Sequence, residues 1–206
     1  MIKKIGITQK MEIDKNGISF QLDKNWFNYF SKFEVTLIPI GFHKFDNRKI
    51  EELNLDGIIV SGGGNIYSLS KKKINKQRDN FEKKIISKFK KKNKPILLVC
   101  RGFQLIADNY GSNIIRIKNH VKTMHKVYLS KNIFFKKKST IVTNSFHEYG
   151  LKKLGKEFEV LGTSQDGSIE FAKIKKNKIY CTMFHPERYN KSQGVIDKII
   201  KKIFLI

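Results

Sequence analysis

The sequence predicts an α/β fold of three layers, with a mostly parallel mixed central sheet flanked by helices. Three observations carry this. Short apolar runs such as Ile96–Val99 lack the alternation of a half-solvated strand and read as strands buried on both faces. Strand and helix patterns alternate through the first half, as parallel pairing requires. The second half turns to short strand-like runs separated by turns, then closes on an amphipathic helix. With 206 residues, 40% apolar content and three prolines, the chain fits a single domain, 1–206.

The elements follow in order. Ile2–Thr8 reads as a first strand. Asp23–Phe33 carries Trp26, Phe27, Phe30 and Phe33 at helical spacing. Glu34–Ile40 is a second strand and Arg48–Leu55 a short helix. Asp56–Val60 is a third strand running into glycines. Arg78–Lys91 places Phe81, Ile85, Ile86 and Phe89 on one helical side. After Pro95, the strand Ile96–Val99 leads at Cys100 into a helix that runs to about Asn109, ending near Gly111. Further strands are expected at Ile114–Ile117, Lys126–Leu129, Thr140–Asn144, Glu157–Gly162, Ile169–Ile174 and Lys178–Met183. Val195–Phe204 is the closing helix.

The net charge is +24 and the pI near 10.0, a balance shared with many nucleic-acid binders. Here lysine is spread along the chain beside abundant Asn and Ile, a bias that AT-rich coding produces. Lys71–Lys73, Lys90–Lys92 and Lys136–Lys138 read as solvated loops or helix faces. No aromatic-interleaved basic motif and no zinc or helix-turn-helix signature accompanies them, so nucleic acid is not the expected partner. The charge suits attraction of an anionic or phosphate-bearing ligand. No signal-length apolar run follows the first lysines, and no run is long enough to span a bilayer. The expected location is the cytoplasm, without membrane attachment. Two cysteines, Cys100 and Cys181, are too few for a disulfide framework.

The stretch Pro95-Ile-Leu-Leu-Val-Cys-Arg-Gly-Phe-Gln104 places a thiol where a buried strand meets a helix. A residue there sits on a sharp nucleophile elbow at the top of the sheet. The helix dipole and the free N–H groups of the first turn favour thiolate. Gly102 leaves room for close strand–helix packing, and the N–H of Arg101 can face a carbonyl oxygen under attack. The same local pattern also suits a small core cysteine.

A thiol nucleophile needs a base, and the base an orienting group. Of His43, His120, His125, His147 and His185, the last lies in Phe184-His-Pro-Glu187, just past a strand. Pro186 imposes an extended or turning backbone that can bring the Glu187 carboxylate beside the far ring nitrogen. Ser61-Gly62-Gly63-Gly64 has three readings: a phosphate cradle, a second oxyanion N–H, or a plain turn. It lacks the Lys-Ser/Thr of a P-loop and the G-x-G-x-x-G spacing. Cys181 lies mid-strand and reads as core. His120 and His125 read as surface residues rather than substrate contacts, and His43 has no supporting context. No His, Cys and Asp are spaced as zinc ligands, so no metal is expected.

Together these residues resemble the class I glutamine amidotransferase-like superfamily. Within it, the chain is most similar to the γ-glutamyl hydrolase and γ-glutamyl-γ-aminobutyrate hydrolase branch. The carrying segments, in family order, are Asp56-Gly-Ile-Ile-Val-Ser-Gly-Gly63, Arg78-Asp79, Pro95 to Gln104, Asn144-Ser-Phe-His147, Asp166-Gly-Ser-Ile-Glu170 and Phe184-His-Pro-Glu187. The resemblance implies Cys100 as nucleophile, His185 as acid/base and Glu187 as its orienter. It implies oxyanion donors at the backbone N–H of Gly63 and Arg101, and a γ-glutamyl pocket including Gln104, Asn144, Ser145, Phe146 and His147. It implies no cofactor. Ile7-Thr8-Gln9 and Leu22-Asp23-Lys24-Asn25-Trp26 further resemble short bacterial members linked to capsule and surface-sugar gene sets. Some of those release a cytidine diphosphoramidate from its γ-glutamyl conjugate. The chain departs from the family pattern at Leu98, where glycine is usual, at Gly64-Asn65, where an acidic residue often follows, and at Glu148-Tyr149, where relatives often carry His/Gln. These departures bear on the leaving-group pocket more than on the triad.

The expected activity is therefore hydrolysis of a small-molecule γ-glutamyl amide through a γ-glutamyl thioester, releasing glutamate. Two alternatives differ in kind. A glutaminase component would pass ammonia to a separate synthase partner. A non-catalytic basic module would bind nucleic acid with a steep salt dependence, indifferent to Cys100.

Overall fold

The computed structural model describes residues 2–41 and 47–206. The chain opens with β1 (Lys3–Thr8), β2 (Lys10–Asp14), β3 (Gly17–Gln21), α1 (Asn25–Phe30) and β4 (Val35–Ile40). Then come α2 (Asn47–Glu52), β5 (Gly57–Val60), α3 (Tyr67–Ser70), α4 (Lys73–Lys91), β6 (Ile96–Val99) and α5 (Arg101–Asn109). The second half holds β7 (Ile114–Arg116), β8 (Val121–Leu129), β9 (Ser139–Phe146), β10 (Tyr149–Leu151), β11 (Phe158–Ser164), β12 (Ile169–Ile174), β13 (Ile179–Thr182) and α6 (Gln193–Phe204).

A nine-stranded sheet runs in the order β4-β1-β5-β6-β13-β12-β11-β8-β9. From β4 to β13 the pairings are parallel, and from β13 to β9 antiparallel. The division follows the connections. Helical crossovers return strands in the same direction, while the turns of the second half reverse them.

The central strands are apolar on both sides because both faces are covered. Ile58, Val60, Ile96 and Leu98 point into one core with Ile85, Ile86 and Phe89 of α4 and Phe103 and Ile106 of α5. Ile59, Leu97 and Val99 point into the other, against Trp26 and Phe30 of α1 and Ile196, Ile199 and Ile200 of α6. A three-layer packing of this kind leaves no face for polar alternation.

Several boundaries differ from expectation. α1 is shorter than Asp23–Phe33, and Phe27 faces solvent while Trp26 and Phe30 are buried. α4 begins ahead of Arg78, which places Arg78 and Asp79 inside the helix rather than at its start. The β2–β3 hairpin adds two strands that the apolar runs do not mark. Its signal is Asn16-Gly17: Asp14 pairs with Gly17, Gly17 has φ +119°, and the Asn16 N–H bonds the Asp14 carboxylate at 2.8 Å. His43 lies outside the described residues. The three lysine runs are solvent-exposed. No helix among the described residues is long and apolar enough to cross a membrane.

Candidate active site

The parallel strands β1, β5, β6 and β13 end on the same edge of the sheet. The residues that follow them, Ser61–Gly64, Cys100 and Phe184–Glu187, therefore converge there. Open α/β sheets place ligands beyond the carboxyl ends of their strands for this reason.

Cys100 caps α5 with φ 50° and ψ −99°, a conformation that costs a non-glycine residue about 1–3 kcal/mol. Its N–H bonds the Thr182 carbonyl at 2.7 Å, which ties the elbow to β13. Leu98 is fully buried inside β6, and the sharp turn forms without the glycine usual there. A Cβ on Gly102 would lie 2.7 Å from the Val60 carbonyl, so only glycine lets α5 start this close to β5.

His185 stands over Cys100, with its Nδ1 2.7 Å from Glu187 Oε1. Asn144 fixes its backbone from both sides: the His185 N–H donates to Asn144 Oδ1 at 2.9 Å, and Asn144 Nδ2 donates to the His185 carbonyl at 2.8 Å. Burial pushes the imidazole toward its neutral form. The Glu187 carboxylate and the Cys100 sulfur overcome this and raise His185 to about 10. Its charge thus contributes stability that is fully present below pH 6.5 and is lost as pH climbs toward about 10. Glu187→Gln removes the carboxylate charge and keeps the shape. The alkaline limb of the pH–rate profile is expected to move to lower pH by at least about one unit. An unmoved limb would show that Glu187 does not set the charge on His185.

Gly62 is the contact that sequence reasoning missed. A Cβ there would lie 2.7 Å from His185 Cε1 and 3.4 Å from Cys100 Cβ. Gly62→Ala is expected to push the ring aside and lower kcat about 100-fold with little change in Tm. Crystallographic or NMR evidence of an unshifted ring would contradict that account.

The glycine loop is held from beneath. Arg78 donates to the carbonyls of Gly63, Ser61 and Gly62 at 2.8, 3.0 and 3.2 Å, and its Nε pairs with Glu82 at 2.8 Å. The Arg101 side chain is spent on Asp79 and Glu82. Its Nε also donates to the Asn65 carbonyl at 3.3 Å, at the edge of the glycine loop. Arg78 also reads differently from a helix-leading residue: it clamps the loop.

Two cavities meet at His185. One, of about 260 Å³, is lined by Cys100, Asn65, Gln104, Phe146 and His147 among others. The other, of about 280 Å³, is lined by Lys10, Gln21, Asp23 and Trp26, with Gly62 and Gly63. Arg188 borders both and stacks on Phe146 with its guanidinium 4.4 Å from the ring centre. Of the residues expected in the γ-glutamyl pocket, Gln104, Phe146 and His147 line the first cavity. Asn144 and Ser145 do not: Asn144 is committed to His185, and Ser145 Oγ donates to the His120 carbonyl at 2.7 Å. Sequence order could not separate them, because the partners that engage Asn144 and Ser145 are distant in the chain.

His120 and His125 correct an expectation. They are not surface residues; their side chains are 5% and 14% exposed and face the fully buried Glu170. His147 faces it as well. Burial disfavours the Glu170 charge, but the three histidines more than offset it and hold the carboxyl well below its usual range. Folding also brings together His120, His125 and Glu170, a grouping of possible ligand atoms that spacing along the chain does not show. Cys181 is fully buried in β13, where burial pushes its thiol up, as a core position requires.

The profile of glutamine amidotransferase class-I matches residues 16–205. The chain belongs to that family. A Campylobacter jejuni protein named gamma-glutamyl-CDP-amidate hydrolase is 31% identical over 205 residues, covering 97% of this chain and 96% of its own. A glutamine-hydrolysing GMP synthase subunit of Methanocaldococcus jannaschii is 32% identical over 133 residues, 64% of each chain. The crystal structure of a GMP synthase subunit from Thermoplasma acidophilum aligns over 100% of this chain and 95% of its own, with TM-score 0.73 and 23% identity. That likeness carries the fold: class I glutamine amidotransferases share the mixed, mostly parallel sheet and its flanking helices.

Proposed function

We propose that this class I glutamine amidotransferase homologue is a free-standing hydrolase of a γ-glutamyl amide with a large, phosphate-bearing leaving group. γ-Glutamyl-CDP-amidate is the candidate substrate, and capsule or surface-sugar modification the setting. The observation that carries this reading is the second cavity. Ammonia needs no such space, whereas about 280 Å³, with Lys10 and Arg188 beside Asp23 and Glu187, suits a bulky polar leaving group. The near full-length similarity to the Campylobacter jejuni protein supports the same substrate class.

In the mechanism, the glutamyl group occupies the cavity beside Gln104, Phe146 and His147. The Cys100 thiolate attacks the γ-carbonyl carbon, and the backbone N–H groups of Gly63 and Arg101 hold the oxyanion. His185 gives its proton to the leaving nitrogen as the C–N bond breaks, and Glu187 keeps the ring oriented and charged. The amidate departs through the second cavity, leaving a γ-glutamyl thioester. Water, deprotonated by His185, attacks that carbonyl and releases glutamate and the thiol.

A substrate panel tests the proposal. For the isolated chain, kcat/KM for γ-glutamyl-CDP-amidate should exceed that for glutamine by at least about 100-fold. Lys10→Ala should narrow the gap. Equal turnover of the two substrates would overturn it. Glutamate release from glutamine that appears only with an added synthase would favour the ammonia-delivering glutaminase, the reading that the GMP synthase relatives supply.

A further inference from the structure

We propose that His120, His125 and Glu170 bind a divalent transition metal, zinc by their donor set, with His147 as the fourth ligand. This stands apart from the substrate assignment. One ligand atom from each of His120, His125 and Glu170 lies within 4.8 Å of the others. Glu170 is fully buried, yet among the described residues neither of its oxygens has a hydrogen-bond partner, nor has Nε2 of His125 or of His147. His120 Nδ1, His125 Nε2 and His147 Nε2 stand 3.4, 3.5 and 3.6 Å from the carboxylate oxygens. Charge-assisted hydrogen bonds would draw these pairs to about 2.7–2.9 Å. Four ligands around a zinc with bonds of about 2.0–2.1 Å are separated by roughly 3.3–3.4 Å.

The far sides of the rings point the same way. His147 Nδ1 faces the Tyr149 carbonyl at 3.2 Å, an atom that can only accept. His120 Nε2 faces Asp166 Oδ2 at 3.5 Å. With its proton on Nδ1, a neutral His147 ring turns a bare lone pair toward the Glu170 carboxylate. Two acceptors then face each other across a buried gap, and a cation resolves the conflict. A carboxylate or carbonyl behind a ligating histidine, as behind His120 and His147, is the usual outer arrangement of a metal site. His125 and Asp166 are partly exposed and provide the way in.

The ligands come from the loop before β8, from β8, from the β9–β10 turn and from β12. A metal would clamp these segments together and set the position of His147 on the cavity wall. All four positions are filled by protein, so the role is structural rather than catalytic.

The test uses untagged full-length chain carrying Cys100→Ser, so that the thiol cannot bind metal. Cobalt is titrated, the visible absorption of tetrahedral cobalt is followed, and zinc then competes it away. Expected are about one equivalent bound and a rise in Tm with zinc. Asp166→Asn should weaken binding roughly 10–100-fold, and His125→Ala and Glu170→Gln by more. His125 is partly exposed, so its alanine variant should keep the fold, with circular dichroism as the check. Absence of the tetrahedral band in the parent chain would overturn the proposal. So would unchanged affinity in folded His125→Ala, and the cluster would then be a metal-free set of histidines around one carboxylate.

Discussion

Cys100→Ala is expected to cut glutamate release from any γ-glutamyl substrate by on the order of 10⁵-fold or more, with the fold retained. Cys100 Cβ lies near the loop glycine Gly62, and the sulfur supports the raised His185. Without sulfur there is no atom to form the thioester, and His185 and the oxyanion donors have no bond-making step to assist. The backbone need not change: alanine takes the same elbow at the same strain, held by the bond from its N–H to the Thr182 carbonyl. Loss of the buried sulfur should cost about 1 kcal/mol. Steady glutamate release measured beside a melting curve that shifts by only about 2–4 °C decides the matter. Release persisting within tenfold of the parent would remove Cys100 from the mechanism.

Glu82→Ala should destabilise the chain by about 3–5 kcal/mol, a large part of the 5–15 kcal/mol typical of a domain. Glu82 is fully buried in α4. Its Oε1 accepts from Arg78 Nε at 2.8 Å and from Thr8 Oγ1 at 3.2 Å, and its Oε2 accepts from Arg101. Burial already lowers Arg78 to about 10, and the Glu82 charge is the strongest influence opposing it. Alanine would leave two buried guanidinium groups short of a counter-charge and release the clamp on the glycine loop. Glu82→Gln keeps the shape without the charge and should fall between. Urea unfolding of the three proteins measures this; a cost for alanine below about 1 kcal/mol would show that the network adds no stability.

The site was unevenly legible in the sequence. Cys100 was readable because a four-residue apolar strand, a cysteine and a helix lie together in one short stretch. His185 and Glu187 were readable because they are two residues apart at a strand end. Gly62 was not separable from Gly63 and Gly64, since the choice depends on where the His185 ring stands. Asn144 and Ser145 group with Phe146 and His147 as one segment in the sequence, and hydrogen bonds to His185 and His120 divide them. The β2–β3 hairpin, which brings Lys10 over the glycine loop, has only a two-residue Asn-Gly signal between weakly apolar strands.

What the sequence determined by itself is local chemistry. Unbroken apolar runs require strands covered on both faces, and a cysteine at a strand–helix junction requires an elbow. What the tertiary structure decided is every relation between distant residues. Glu82 neutralises Arg101 because α4 and α5 lie on the same face of the sheet. Glu170 gathers His120, His125 and His147 because β12 runs through the part of the sheet that β8 and β9 complete. Buried charges depend on partners supplied by the fold, and their spacing along the chain carries almost no record of it.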